Sequence, residues 1–392
     1  MNILQIIKYY YPAMTFGGPV RCSYNLCEYL AKKGHKVTVY TTDALNIDAN
    51  TRIETKHEFV GNVEVFRFPV LSRVAGLFIS PRLIAKLREN IGDFDIVHLH
   101  EYRSFQNIVY YYINAHRVPY VMTLHGQLFT AYVGDHMNSV ALREVFDSFF
   151  GKRLLTQASK VLALTETEAE KCSRLGVEST RMLVVPNGVD PADFSKIPDK
   201  GDFKREFSLN ADNMILYLGR IDKRKGIDIL IKACSRLFKQ RENAKLVIAG
   251  ADFGFLSEAR ALVRLLGVEN KVLFSGGLSR EQVLAAYNDA SVVVYAGIQE
   301  GFPIVPLEAG IMGKPVVVSE DPATDFVKRG RFGLSVKYGN VLQLEEVLKF
   351  ILDNPEKAAE MGSKGQTYIR SNYSWNVIGK KIEDIYYNIL KE

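Results

Sequence analysis

Short apolar runs alternate with amphipathic segments along almost the whole chain. This is the β-α-β rhythm of a parallel sheet covered on both faces. In the first half, the runs predict strands at Ile3–Ile7, Lys36–Thr41, Val63–Phe68, Asp95–His100, Tyr120–Leu124, Lys160–Leu164 and Met182–Val185. Helical spacing predicts Val20–Lys33, closed by Gly34 as a C-terminal glycine, and Leu83–Ile91. The pattern restarts with strands at Met214–Leu218, Lys245–Ala249, Val272–Phe274, Ser291–Ala296 and Pro315–Ser319. Helices are expected between them at Ile227–Lys239, Leu256–Leu266 and Glu281–Asp289, and a last amphipathic helix over Trp375–Leu390. Thr42–Asn62 reads as a long surface loop and Gly126–Ser139 as an irregular segment, with a helix following through Leu155.

The polar, proline-bearing stretch Asn187–Lys204 interrupts the rhythm and is the expected hinge. A length of 392 residues agrees with two cores rather than one. The expected fold class is therefore α/β, with two doubly wound, Rossmann-like domains facing a cleft. The boundaries fall at residues 1–190 and 191–372. In such sheets, ligands bind outside the carboxyl ends of the strands, so chemistry is sought just after each strand.

Apolar residues make up 47% and charged residues 24%, as in a soluble globular chain. The formal net charge of +6 is mild for this length. It suits an anionic ligand or a loose membrane contact and is too weak to argue for nucleic acid. The four cysteines, Cys22, Cys27, Cys172 and Cys234, form neither a C-x-x-C pair nor a zinc-like set with histidine. They imply a reducing compartment. The start of the chain lacks the features of a signal peptide, and no apolar run approaches the ~18 residues of a membrane span. A cytoplasmic protein is expected, with a peripheral contact at the inner face of a membrane left open.

Four segments just after strands carry candidate chemistry. "FGGP" (Phe16–Pro19) offers adjacent glycines, Gly17 and Gly18, whose backbone can approach an anion closely, although an ordinary turn is the simpler reading. "TLHG" places His125 at the end of a strand, where it could bond a ligand hydroxyl or merely cap the strand. "LGRIDKRKG" packs Arg220, Lys223, Arg224 and Lys225 ahead of a helix, a strong arrangement for a diphosphate. "EGFPIVPLE" carries Glu300 and Glu308 with seven residues between them, and Pro303 suits the first turn of a helix. Two acids could form a hydrolytic pair or accept hydrogen bonds from neutral hydroxyls. Beside a cationic diphosphate site, the hydroxyls of a nucleotide-sugar give both charge types a use. Asp93-Phe-Asp95 leads into a buried strand, so its D-x-D pattern reads as structural. His98 and His100 share a strand face without a carboxylate to complete a metal set, and His100 is kept as a cleft-lining candidate.

Together these segments resemble the retaining GT-B glycosyltransferases of glycosyltransferase family 4. The resemblance rests on "EGFPIVPLE" with "AGIMGKPVV", "GRIDKRKG", "FGGP", "GHKVTVYTT", "DIVHLH", "TLHG", "VPNGVD", "FSGGLSREQVLAAY" and the closing "YSWNVIGKKIEDIY". It implies an acceptor-binding first domain and a second domain that binds the nucleotide-sugar donor. The last helix, 373–392, is then expected to pack back on the first domain. By resemblance, Arg220 and Lys225 grip the donor diphosphate, and Glu300 accepts from the sugar. Glu308 holds the ribose, and His125 sits by the donor sugar. Gly17 and Gly18 let a loop close on the diphosphate. Gly219, Gly301, Phe302 and Pro303 line the donor, the amides of Ile304 and Val305 bind phosphate, and the backbone of Gly277 and Leu278 reads the base.

The implied substrate is a UDP- or GDP-sugar, with no metal or other cofactor. The implied acceptor is a sugar, glycan or lipid-linked hydroxyl. The sequence departs from the family pattern at Ser319–Gly333, where a glycine-rich turn is missing, and at Ala296-Gly297, where Pro-Ser is usual. A nucleotide-sugar epimerase or hydrolase of the same fold, and a non-catalytic binding module, are the rival readings. The long aromatic stretch Gly126–Phe150 and the intact charged set argue against them.

Overall fold

The computed structural model describes residues 1–46, 50–74, 76–129, 144–298 and 301–392. The chain divides into two compact units, Met1–Gly188 with Trp375–Glu392, and Val189–Ser374.

The first unit is built on β1 (Asn2–Ile6), β2 (Lys36–Thr42), β3 (His57–Val60), β4 (Val63–Phe68), β5 (Ser72–Val74), β6 (Leu77–Ile79), β7 (Ile96–His100), β8 (Tyr120–Thr123), β9 (Lys160–Ala163) and β10 (Met182–Val184). Eight strands form one sheet in the order β10-β9-β8-β7-β1-β2-β4-β3, and β5 and β6 form a separate hairpin. Only β3 runs antiparallel to its neighbour in this sheet. The central strands are apolar on both faces because helices cover both sides. Strand order reverses between β1 and β7. This is the topological switch point, where the loops following both strands splay apart and leave room for a ligand.

The segment Thr42–Asn62 is less irregular than its polarity predicts. Asp43 is buried and accepts from Arg52, Lys56 and the Val70 amide, which ties the loop down. The stretch then ends in β3, whose alternately exposed and half-buried residues are those of an edge strand. The helix expected from Val20 begins at Gly18 and runs to Lys32, because Pro19 fits its first turn. The expected irregular segment Gly126–Ser139 lies mostly outside the described residues. The closing helix Trp375–Ile389 packs on the first unit. Its Glu383 bonds His35 at 2.8 Å, and Gly379 lies against the ring of Tyr29.

The second unit holds β11 (Asn213–Leu218), β12 (Ala244–Ala249), β13 (Val272–Gly276), β14 (Val292–Tyr295), β15 (Val316–Ser319) and β16 (Gly333–Val336). They form a parallel sheet in the order β13-β12-β11-β14-β15-β16. Alternate residues feed two separate cores. Ile215, Tyr217, Leu246 and Ile248 face the helices Ile227–Leu237 and Val341–Asp353. Met214, Leu216, Val247 and Ala249 face the other side, with Tyr287 and Leu307. The period of two in side-chain direction produces both layers from one run. Here the switch point lies between β11 and β14.

Candidate functional site

At the switch point of the second unit, the cationic loop and the glutamate loop follow adjacent parallel strands, β11 and β14. Gly219 leaves β11 at φ 145, and Gly226 closes the turn at φ 66. A Cβ on Gly226 would run into the carbonyl oxygen of Ala296, and one on Gly250 into that of Gly219. These glycines therefore allow backbone to stack on backbone where the two loops meet.

The four basic residues of this loop are not equivalent. Asp222 caps the turn Lys223–Lys225, accepting from the Arg224 amide at 2.9 Å and from its guanidinium at 2.9 and 3.1 Å. Burial opposes ionisation of Asp222, but the bonds and charge of Arg224 outweigh it and hold the carboxyl below its ordinary value. Arg224 thus shapes the loop. Lys225 is buried beside Gly297, with Nζ 5.7 Å from the centre of the Tyr295 ring. Arg220 is exposed, its guanidinium 5.0 Å over Phe253.

After β14, the backbone reaches Gly301, Phe302 and Pro303 and enters the helix Ile304–Ile311. Pro303 sits one residue earlier than a first-turn position, as the extended N-cap, and Pro306 occupies the first turn. Among the described residues no side chain caps this helix, so the amides of Ile304 and Val305 point out of its start. Phe302 packs on Phe326 at 5.0 Å and on Tyr373 at 5.9 Å, two rings that also touch each other at 5.4 Å. Glu300 lies outside the described residues.

Glu308 is 6% exposed and lies in the second turn of that helix. Arg280 donates to its Oε1 at 3.1 Å, and Tyr287 donates to its Oε2 at 2.9 Å. Arg280 also lies 4.5 Å over Phe194. Both partners come from the helix Arg280–Asp289, which is fixed by a capping box between Ser279 and Gln282. Gly277 and Leu278 form the link from β13 into this helix, beside Glu308's partners in sequence. Arg280 and Tyr287 were legible only as part of the quoted "FSGGLSREQVLAAY". Nothing in their spacing ties them to a glutamate 28 residues on from Arg280.

In the first unit, Gly17 has φ 81 and is the N-cap of the helix that starts at Gly18. His125 follows β8 in a left-handed conformation, φ 53, and Gly126 has φ 80. The turn is braced by Glu168, fully buried, whose carboxylate accepts from Gly126 N–H at 2.9 Å and Leu164 N–H at 2.7 Å. Desolvation raises the Glu168 pKa to about 7 despite these bonds. His125 Nε2 meets His100 Nδ1 at 2.9 Å. Burial lowers the His125 pKa to about 4 and that of His98 to about 3, and places His100 well below its ordinary value. All three rings are neutral at physiological pH. His98 and His100 are bonded to protein partners, and among the described residues no group of three or more histidine, cysteine or acidic side chains could hold a metal ion.

The unit-one switch point also carries two residues that the sequence did not single out. Lys8 and Glu101 lie just past the ends of β1 and β7, in line with the register Ile6↔Leu99. Glu101 is 5% exposed, has φ 65, and its Oε2 is buried without a hydrogen-bond partner among the described residues. Desolvation raises its pKa to about 7, against the charge of Lys8, while Lys8 is lowered by its own burial. A buried carboxyl with one unbonded oxygen on a left-handed backbone, beside a buried lysine, is a candidate functional feature rather than a packing solution. The sequence lacked the signal because this pairing comes from strand register.

Of the aromatic stripe at 146–154, Phe146 and Leu154 are buried, Phe150 is half-buried and Phe149 is exposed. All four cysteines are buried and free. Among the described residues no helix is long and apolar enough to cross a membrane.

Family models match both units: "Glycosyl transferases group 1" over residues 199–368 and "Glycosyltransferase Family 4" over residues 16–193. An uncharacterized glycosyltransferase of Methanocaldococcus jannaschii is 26% identical over 98% of both chains. The D-inositol 3-phosphate glycosyltransferase of Mycolicibacterium smegmatis is 30% identical over 74% of this chain and 68% of its own. Among solved structures, Anabaena HepE in complex with UDP-glucose superposes with a TM-score of 0.75 at 20% identity, covering 98% of this chain and 99% of that one. With its two Rossmann-like sheets, the chain belongs to the group 1 glycosyltransferases of family 4, GT-B-fold enzymes that transfer a sugar.

Proposed function

We propose that this enzyme moves a sugar from a UDP- or GDP-sugar to an acceptor hydroxyl, with retention of anomeric configuration and without a metal. One observation carries the reading. The Lys225 loop and the Glu308 helix follow neighbouring strands at the switch point of the second unit. Cations for a diphosphate and an acceptor for hydroxyls are thereby offered to one ligand.

In this reading, Arg220 and Lys225 hold the diphosphate and stabilise the charge left on it as the sugar departs. The amides of Ile304 and Val305 add dipoles of the same sign at the helix start. Glu308 takes the ribose hydroxyls. A carboxylate oxygen accepts more than one hydrogen bond, so Glu308 can take hydroxyls alongside Arg280 and Tyr287. The Gly277–Leu278 backbone reads the base, and Gly219 lets the cationic loop approach closely. Glu300 takes the sugar hydroxyls, with Gly301, Phe302 and Pro303 setting its approach. Gly17, Gly18 and His125 act from the first unit on the diphosphate and the sugar.

Transfer on the same face requires no protein nucleophile. The bond from the anomeric carbon to the leaving phosphate breaks, and the acceptor oxygen bonds to the same face. Its proton passes to the departing phosphate oxygen. The enzyme supplies position and electrostatics.

UDP-glucose is the ligand named for the Anabaena neighbour, and inositol phosphate is named for the mycobacterial relative. Both support a nucleotide-sugar donor and a small or glycan-type acceptor hydroxyl. A thermal-shift panel of nucleotides and nucleotide-sugars tests this. A matching donor at a hundred times its Kd stabilises by about 2.7 kcal/mol. The absence of any shift across UDP, GDP and their sugars would sink the donor assignment.

A lipid-linked acceptor and a peripheral membrane contact belong to the same proposal. Exposed Phe149 and Tyr112, with exposed Lys152 and Arg153, offer apolar and basic groups to an anionic surface. No co-sedimentation with anionic vesicles at low salt would remove that contact.

A further inference from the structure

His125 ends a continuous chain of buried hydrogen bonds. Its Nε2 is 2.9 Å from His100 Nδ1, and His100 Nε2 is 2.6 Å from Gln5 Oε1. Gln5 Nε2 donates to the Tyr386 hydroxyl at 3.3 Å. That hydroxyl is 2.6 Å from His98 Nδ1, and His98 Nε2 is 2.7 Å from Thr123 Oγ1. Gln5, His98 and Tyr386 are fully buried and His100 is 2% exposed, so no link is exchanged freely with water. The chain joins β1, β7, β8 and the closing helix Trp375–Ile389.

A neutral imidazole has one N–H and one lone pair, so each ring passes on the polarity it receives. Gln5 sets that polarity. Its shorter contact, 2.6 Å, suits an oxygen facing a ring N–H. An amide nitrogen would not approach a ring nitrogen so closely. His100 therefore carries its proton on Nε2 and has a lone pair on Nδ1. His125 must donate from Nε2 to that lone pair. Its own Nδ1 is left bare, and among the described residues nothing donates to it. On the other arm, the Gln5 amide donates to Tyr386, whose single proton goes to His98 Nδ1. His98 Nε2–H then donates to Thr123.

We propose that Gln5 is a positioning residue which, through His100, holds His125 as the Nε2–H tautomer, so that Nδ1 of His125 accepts a hydrogen bond from a substrate hydroxyl. This rests on the reading that His125 touches the substrate. It deepens that reading, because an acceptor atom selects a hydroxyl over an ether or carbonyl oxygen. It also means that His125 cannot donate a proton to the leaving phosphate.

The test uses the full chain labelled with ¹⁵N and ¹³C in histidine, with signals assigned by single replacement. His98, His100 and His125 are expected to carry the proton on Nε2, with no titration between about pH 5 and 8. Gln5→Leu is expected to release His100 and His125 into mixed tautomers and to slow transfer about fivefold to tenfold, the worth of one hydrogen bond. Tyr386→Phe cuts only the other arm and should shift His98 alone, leaving the His125 tautomer in place. A general structural role would disturb His125 in both variants.

Nδ1–H on His125 in the unaltered protein overturns the proposal. So does equal disturbance of His125 by Tyr386→Phe and Gln5→Leu. The spectrum of the unaltered protein decides the tautomer even if Gln5→Leu fails to fold. If the tautomers are as stated but His125→Ala transfers at the full rate, the substrate contact fails and not the tautomer assignment. The two failures are thus distinguishable.

Discussion

Arg280 reaches Glu308 at 3.1 Å, and the two residues belong to different helices of the second unit. The contact offsets the charge of a carboxylate buried one turn into the helix Ile304–Ile311. In the proposed function, a paired Glu308 accepts from ribose hydroxyls while its charge is offset locally.

Arg280→Ala removes the guanidinium bond to that buried carboxylate and keeps the Tyr287 bond. The expected outcome is a rise of about tenfold in KM for the donor with a smaller change in kcat, read from steady-state kinetics. A stability loss of about 1–3 kcal/mol should accompany it, the usual worth of a charged hydrogen bond, read by urea unfolding.

Lys225→Ala removes the buried cation that the proposed function sets beside the developing charge. A fall in kcat of about a hundredfold or more is expected, with an unchanged far-ultraviolet circular dichroism spectrum. Glu308→Ala should lose transfer with comparable severity. Full activity in both variants would overturn the site assignment.

Gly226→Ala would place a methyl group against the Ala296 carbonyl at a positive φ. The two loops at the switch point must then separate. A loss of about 1–3 kcal/mol is expected by chemical denaturation, together with weaker donor binding by calorimetry. Gly92→Ala meets no atom and serves as the control.

Glu101 supplies a pH dependence with a definite sign. Its carboxyl, ordinarily at 4.5, is raised to about 7 by burial. Between these values the unfolded chain releases the proton and the native state keeps it, so stability falls as pH rises from about 4.5 to about 7. The contribution lost is about 3 kcal/mol at most. Glu101→Gln should flatten this part of the profile in urea midpoints measured across the range. An unchanged difference between pH 4.5 and pH 7.5 in the variant would refute the assignment.

The strand-and-helix rhythm was legible because period two and period 3.6 survive in each run, as at Met214–Leu218 and Ile227–Leu237. Among what escaped were elements without a one-sided pattern. The edge strand His57–Val60 mixes one polar and one apolar residue on each face, and Gly333–Val336 is only half-buried. The cationic loop was visible as composition, but not the division of labour within it. Asp222 takes Arg224, and Lys225 is turned against Tyr295.

By itself, the sequence determined the two α/β sheets, the positions of the loops that follow their strands, and the residue types those loops carry. These are local properties, set by side-chain period and by turn chemistry. Only the tertiary structure decided which of these groups act together. Strand order placed the Lys225 loop beside the Glu308 loop, and helix packing brought Arg280 and Tyr287 to Glu308. Strand register aligned Lys8 with Glu101, and the closing helix delivered Tyr386 to Gln5, 381 residues away. Hydrogen bonds and charges act over a few ångströms, and distance along the chain carries no information about which ångströms those are.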